Sequence, residues 1–153
     1  MVVVDVQRLL QQSLANQSIQ RQLASQREIL QREMAAQYEQ QRQAEQELAR
    51  LRPSLQPDEF DRKRIEFGNE VTATSRVTQE KTRKLDAAFL QARTTMLETI
   101  RVVIGEIAAE RGATLVISSE FVFYQANDSL DITDTALQRL NTRLPEVKVN
   151  LPQ

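Results

Sequence analysis

The sequence predicts an α+β protein, mostly α: a long antiparallel helical hairpin, forming a coiled-coil arm, on a small β base. Three observations predict it. Residues 18–51 and 58–111 are filled with Gln, Glu, Arg, Ala and Leu, which lose little on entering a helix, and neither stretch contains a proline. Pro53 and Pro57 lie between the two stretches. Short apolar runs rich in β-branched and aromatic residues stand on either side of them.

The first apolar run, Val2-Val3-Val4, reads as a short buried strand. Asp5 is placed to cap a brief helix that begins around Arg8-Leu9-Leu10. Ser18 is the expected cap of the first long helix. Ile19, Leu23, Leu30, Met34, Leu48 and Leu51 recur along that helix at spacings of three, four or their sums, with Tyr38 near the same stripe. The stripe is thin, because Gln26, Gln37 and Gln41 fall where a strict coiled coil places aliphatics.

The residue before a proline is pushed out of helical geometry, so the first helix is expected to end near Leu51 or Arg52. Pro57 suits the first turn of the next helix, and Asp58 and Glu59 favour its positive N-terminal dipole. The hairpin tip is thus placed at about residues 52–57. The second helix carries a stripe through Phe67, Val71, Thr74, Thr78, Lys81, Leu85, Ala88, Ala92, Thr95, Thr99 and Val102, polar and small in its middle. Gly68 weakens the distal part by about 1 kcal/mol relative to alanine and is the expected flex point, together with the small residues 72–75. The first helix, about 34 residues long, spans roughly 50 Å at 1.5 Å per residue.

Gly112 is a suitable residue to end the second helix. A second strand is expected at Leu115-Val116-Ile117 and a third at Phe121-Val122-Phe123-Tyr124. Asn127-Asp128-Ser129 is turn chemistry. Thr133 is the expected cap of a last helix that Pro145 closes near Leu144. The resulting division is a β-containing oligomerisation body at 1–17 and 112–144, with the hairpin base at 97–111, a helical arm at 18–111 and a tail at 145–153. Three short strands do not bury a sizeable core alone, so oligomerisation is expected.

Composition narrows the function classes. The chain has 153 residues with 5% aromatics, 3 glycines and no tryptophan, which suits long helices better than a compact enzyme core. Cysteine and histidine are both absent, which removes thiol nucleophiles, disulfides, histidine ligands and histidine acid–base chemistry. No G-x-x-x-x-G-K-[ST] phosphate loop occurs, so neither an ATP-driven cycle nor an enzyme is expected, and no cofactor or metal is implied. Asp128, Asp131 and Asp134 lack the alternate spacing and central glycine of a calcium loop and fit a helix start better. A net charge of −1 gives no reason to expect nucleic-acid binding. No apolar stretch approaches the ~20 residues of a membrane span, and no leader pattern follows Met1; an exported protein would have lost its leader from this sequence.

Three segments carry a resemblance: the opening Val3-Val4-Asp5-Val6-Gln7-Arg8-Leu9-Leu10, the run Gly112-Ala113-Thr114-Leu115-Val116-Ile117 followed by Val122-Phe123-Tyr124, and Leu130-Asp131-Ile132-Thr133-Asp134. With the order strand, hairpin, strand, strand, short helix, they resemble the Skp (OmpH) family of chaperones for outer-membrane proteins. The resemblance implies a homotrimer in which strands from three protomers close a β-barrel body, and three arms that enclose a cavity. It further implies a periplasmic, ATP-independent holdase whose clients are unfolded outer-membrane proteins delivered for membrane insertion. The slightly acidic balance departs from the basic members of that family, so membrane-surface contact is expected to be weak.

On this reading the client-contact candidates are Leu23, Leu30, Met34, Tyr38, Phe60, Ile65, Phe67, Val71, Leu85, Phe89 and Met96, because an unfolded membrane protein exposes apolar segments and needs many adaptable contacts. The alternative is that they only seal one helix to the other. The oligomerisation candidates are Val3, Val4, Leu115, Val116, Ile117, Phe121, Val122, Phe123 and Tyr124. Arg50, Arg52, Arg62, Lys63 and Arg64 cluster near the tip, among Asp58, Glu59 and Asp61. Arg76, Lys81, Arg83, Lys84 and Arg93 bias the second arm positively. Two other classes remain open: a structural coiled-coil or tethering protein, which requires a continuous apolar seam, and a prefoldin-like cytosolic chaperone subunit.

Overall fold

A computed structural model describes residues 1–150; the end of the expected tail, 151–153, lies outside the described residues. The elements are β1 (Val2–Val4), α1 (Val6–Gln12), α2 (Leu14–Leu51), α3 (Pro57–Glu110), β2 (Val116–Ser118) and α4 (Thr133–Arg143). The chain divides into two compact units, one built from residues 1–23 and 87–150, the other from residues 24–86. Helices α2 and α3 contribute to both.

In the first unit, β1 pairs with β2 in parallel, Val2 opposite Val116 and Val4 opposite Ser118. On its other side Val3 bridges Asp131, with the Ile132 N–H donating to the Val3 carbonyl at 2.9 Å. Covered on both edges, Val2, Val3 and Val4 are all buried, which is why the run is continuous rather than alternating. The same unit also buries Leu9, Ile100, Val103, Ile107, Ile132, Ala136 and Leu140.

Helix ends in this unit are capped by side chains. Asp5 accepts from the Arg8 N–H at 2.9 Å, as expected for the start of α1. The first long helix starts earlier than expected. Ser13, not Ser18, is its cap: the Ser13 hydroxyl accepts from the Asn16 N–H at 3.3 Å, and Asn141 of α4 accepts from the Leu14 N–H at 2.8 Å. Ser18 is buried inside the helix instead. Thr133 is not the side-chain cap of α4 either. The Asp131 carboxylate accepts the Thr133 N–H at 2.8 Å, while the Thr133 hydroxyl accepts from the Asp5 N–H at 2.9 Å and ties α4 to the end of β1. Two bidentate arginines then fasten α4 to the end of α3: Arg139 to Glu110 at 2.7 and 2.9 Å, and Arg143 to Glu106 at 3.0 and 2.9 Å.

The third strand expected at residues 121–124 does not form. Residues 119–121 make a 3-10 turn, and Phe121, Phe123 and Tyr124 lie open to solvent. Both edges of β1 are taken, by β2 and by Asp131, and the 3-10 turn that follows β2 directly takes up the start of the segment, so the outer edge of β2 stays unpaired within the chain.

In the second unit, α2 ends at Leu51, Arg52–Ser54 form a 3-10 turn, and α3 begins at Pro57, so the reversal falls where the two prolines place it. At the far end of α3, Gly112 adopts φ +61°, and the Ala113 N–H reaches back to the Ala108 carbonyl at 2.8 Å. A Cβ at Gly112 would meet nothing within 4 Å, so the residue is required by backbone conformation alone. Gly112→Ala is expected to lower the stability by about 1 kcal/mol, read as a lower urea midpoint. Gly68 lies inside the continuous α3 with equally open space around it. There Gly68→Ala is expected to raise the midpoint; equal shifts in the same direction would refute the assignment of both glycines.

Candidate functional site

The sequence-predicted contact residues fall into three groups. Met34, Tyr38 and Ile65 are exposed, at 49%, 70% and 57% of full accessibility. Leu23, Leu30, Phe60, Phe67, Val71 and Leu85 are half-buried. Phe89 and Met96 are buried in the first unit, where the Met96 sulfur lies 3.8 Å from the Ser13 hydroxyl. These last two serve packing and present no surface. Ile29 and Val77 are exposed apolar side chains of the second unit that the stripe count missed, because they fall off the helical seam that it follows.

The seam of the second unit is sparsely apolar. Lys81 reaches across to Glu33 at 2.7 Å. The Thr78 hydroxyl lies 3.0 Å from the Gln37 side-chain oxygen and 3.1 Å from the Thr74 carbonyl, and its single proton serves one at a time. A cavity of about 190 Å³ opens between the helices beside these groups, lined by Gln37, Gln41, Phe67, Val71 and Thr74 among others. Helices sealed by a dry seam do not leave such a space.

Threonine hydroxyls also donate back to α3 itself: Thr72 to the Gly68 carbonyl at 2.9 Å and Thr82 to the Thr78 carbonyl at 3.0 Å. Such back-bonding competes with the helical ladder and favours bending. It falls where Gly68 already weakens the helix.

Part of the charge on this unit is held in local pairs. Arg50 binds Glu47 at 2.8 and 2.6 Å, Arg83 binds Glu80 at 3.1 and 2.8 Å, and Arg64 lies 3.6 Å from Asp61. Arg52 stacks 5.5 Å from the centre of the Phe60 ring, so the tip cluster is partly occupied with its own neighbours. Hydrogen bonds from Arg50 and Arg83 hold Glu47 and Glu80 below the usual carboxylate range.

The oligomerisation candidates split as well. Val3 and Val4 are buried within the chain, while Val116, Ile117 and Val122 are half-buried. Leu115, Phe121, Phe123 and Tyr124 are exposed at 54%, 78%, 106% and 81%. Four large apolar side chains this open, next to a β2 strand paired only with β1, make a sticky edge.

Among the described residues no helix is long and apolar enough to cross a membrane. The family model described as outer membrane protein (OmpH-like) matches residues 1–140. The chain belongs to the OmpH-like family. A protein from Caulobacter crescentus CB15, described as an outer membrane chaperone (OmpH-like), matches this OmpH-like chain in structure. The TM-score is 0.87 at 15% identity, over 99% of this chain and 89% of that one. A search of curated protein sequences returned no match. The family and the long helical hairpin are thus those that the resemblance implied, while the described residues hold two paired strands where three were expected.

The most depressed carboxylate of the hairpin gives a direct check on its surface geometry. Glu39 accepts from Arg42 at 3.0 and 2.7 Å and from Gln43 at 2.9 Å, and the Arg42 bonds, then the Gln43 bond, lower it from 4.5 to about 2. A lowered folded value contributes stability that is present in full above 4.5 and lost as pH falls toward 2. In a carbon-detected NMR titration, Arg42→Ala is expected to return Glu39 toward its ordinary midpoint; an unchanged midpoint would contradict the pairing.

Proposed function

We propose that this OmpH-like chain is a periplasmic, ATP-independent holdase. It binds unfolded outer-membrane proteins in a cavity between the hairpin arms of a homotrimer, prevents their aggregation and delivers them for membrane insertion. The observation that carries this reading is the hairpin surface: exposed Ile29, Met34, Tyr38, Ile65 and Val77 stand along helices whose shared seam is polar. A stalk or tether needs a continuous apolar seam to stay rigid, and the Lys81–Glu33 and Thr78–Gln37 contacts interrupt one.

The client-contact set is Leu23, Leu30, Met34, Tyr38, Phe60, Ile65, Phe67, Val71 and Leu85, joined by Ile29 and Val77 and without the buried Phe89 and Met96. Scattered apolar side chains on a bendable support give many weak contacts rather than one pocket. Release follows when the client folds at the membrane and buries its own apolar face. Trimer closure fits the open edge: a second copy supplies the partner that Leu115, Phe121, Phe123 and Tyr124 lack within the chain. Val3 and Val4 then hold the sheet from inside the protomer, while Val116, Ile117 and Val122 lie at the seam between copies.

Light scattering of a urea-unfolded outer-membrane β-barrel protein, diluted without ATP, tests the reading. Suppressed aggregation near one trimer per client, with the client still able to insert into added bilayers, is expected. Undiminished aggregation over a wide excess would overturn it. The double variant Gly68→Ala/Thr74→Leu removes a helix-weakening residue and adds apolar volume to the seam. It is expected to keep small clients soluble but lose several-fold capacity for large ones.

A further inference from the structure

Beyond α4 the chain continues as an extended strap. Val147 and Val149 are buried, while Glu146, Lys148 and Asn150 are exposed, the period-two alternation of a strand. Yet among the described residues no strand pairs with it. One side chain of α2 takes that role. The Gln22 amide nitrogen donates to the Val147 carbonyl at 2.6 Å, and the Gln22 oxygen accepts from the Val149 N–H at 3.1 Å. This is how a residue of a parallel strand bridges positions i−1 and i+1 of its neighbour. The buried Ser18 hydroxyl adds a weaker contact to the same carbonyl at 3.4 Å and accepts from Gln22 at 3.1 Å.

We infer that the Ser18–Gln22 face of α2 is a docking site for extended client segments, and that residues 146–150 are its resident occupant. The inference rests on the chaperone reading above and names the client feature that this site reads. Recognition by Gln22 goes through main-chain groups, which every sequence offers. Selection comes from the two buried positions, which require apolar residues at i and i+2. Strands of membrane β-barrels carry that alternation over segments of about ten residues. Val147-Lys148-Val149 is a copy of the pattern.

The strap lies beyond residues 1–140, the part that the OmpH-like family model matches, while the structural match to the Caulobacter crescentus chain covers 99% of this chain. The strap's hold is slight: two valines and three hydrogen bonds. A client strand with the same alternation would refill the two apolar positions and the Gln22 contacts that the strap vacates.

The test uses the full chain and a fluorescein-labelled peptide of about ten residues with alternating valine and threonine. A control peptide of equal composition has its valines in helical spacing. A tethered occupant competes at a local concentration in the ~mM range, so Val147→Ser/Val149→Ser is expected to bind the alternating peptide about tenfold more tightly than the parent chain. Adding Gln22→Ala is expected to remove that gain. Equal binding by parent and released variant, a gain that survives Gln22→Ala, or equal binding of both peptides would overturn the site.

Hydrogen exchange on the unaltered chain gives a second reading that depends on no variant. Unfolded client is expected to speed exchange of the Val149 amide while the amides of α4 stay protected. Bound client with Val149 unchanged would also overturn the site. The aggregation assay separates the two claims. Suppressed aggregation without a peptide gain removes the docking site and leaves the chaperone reading, and a peptide gain with undiminished aggregation does the reverse.

Discussion

The parallel pairing of Val2–Val4 with Val116–Ser118 is the constraint on which the rest depends. It ties the first residues of the chain to a segment reached only after the whole hairpin has been made. Two helices that leave and return to one strand pair must run antiparallel, and the prolines at 53 and 57 supply the reversal. The same strand holds the C-terminal segment through Val3 and Asp131, and the Thr133 hydroxyl on the Asp5 N–H fixes where α4 begins. Helix α4 then caps α2 through Asn141 and grips α3 through Arg139 and Arg143. The start of α2 and the end of α3 therefore both find partners on α4, whose own start is tied to the end of β1.

The second unit is governed by different physics. It has few buried side chains and relies on helix propensity, i,i+3 ion pairs and a handful of polar contacts across the seam. Exposed pairs of this kind contribute little individually, which suits a part that has to deform. An apolar seam would stabilise the hairpin more and would also consume the side chains proposed to meet clients. The division of labour follows from where apolar residues were placed: dense in Val103, Ile107 and Leu140, thin in residues 24–86.

Much of this was legible in the sequence because the strongest signals are local. Proline punctuation placed the hairpin tip, Asp5 and Gly112 placed two helix ends, and the β-branched run at Val2–Val4 placed the buried strand. The failures have a common cause: they depend on partners distant in sequence. Ser13 displaced Ser18 as a cap because Asn141 completes the site from α4. Residues 121–124 have the composition of a strand, but both edges of β1 are taken and the 3-10 turn at 119–121 leaves them unpaired beside the open edge of β2. Met96 looked like an adaptable surface methionine, and its burial is set by the packing of α3 in the first unit. The strap was missed although its signal, valine at 147 and 149 with lysine between, is visible once alternation is sought over so short a stretch.

The central claim is that clients are held by the exposed apolar side chains of the hairpin. Site-specific photo-crosslinking tests it most directly, with a photoreactive residue in place of Tyr38, Ile65 or Val77 and, as a comparison, of the exposed Gln138 on α4. The account predicts adducts with an unfolded β-barrel client from the three hairpin positions and not from Gln138, and their disappearance once the client has folded into bilayers. Adducts of equal yield from all four positions, or none from the hairpin while aggregation is still suppressed, would contradict it.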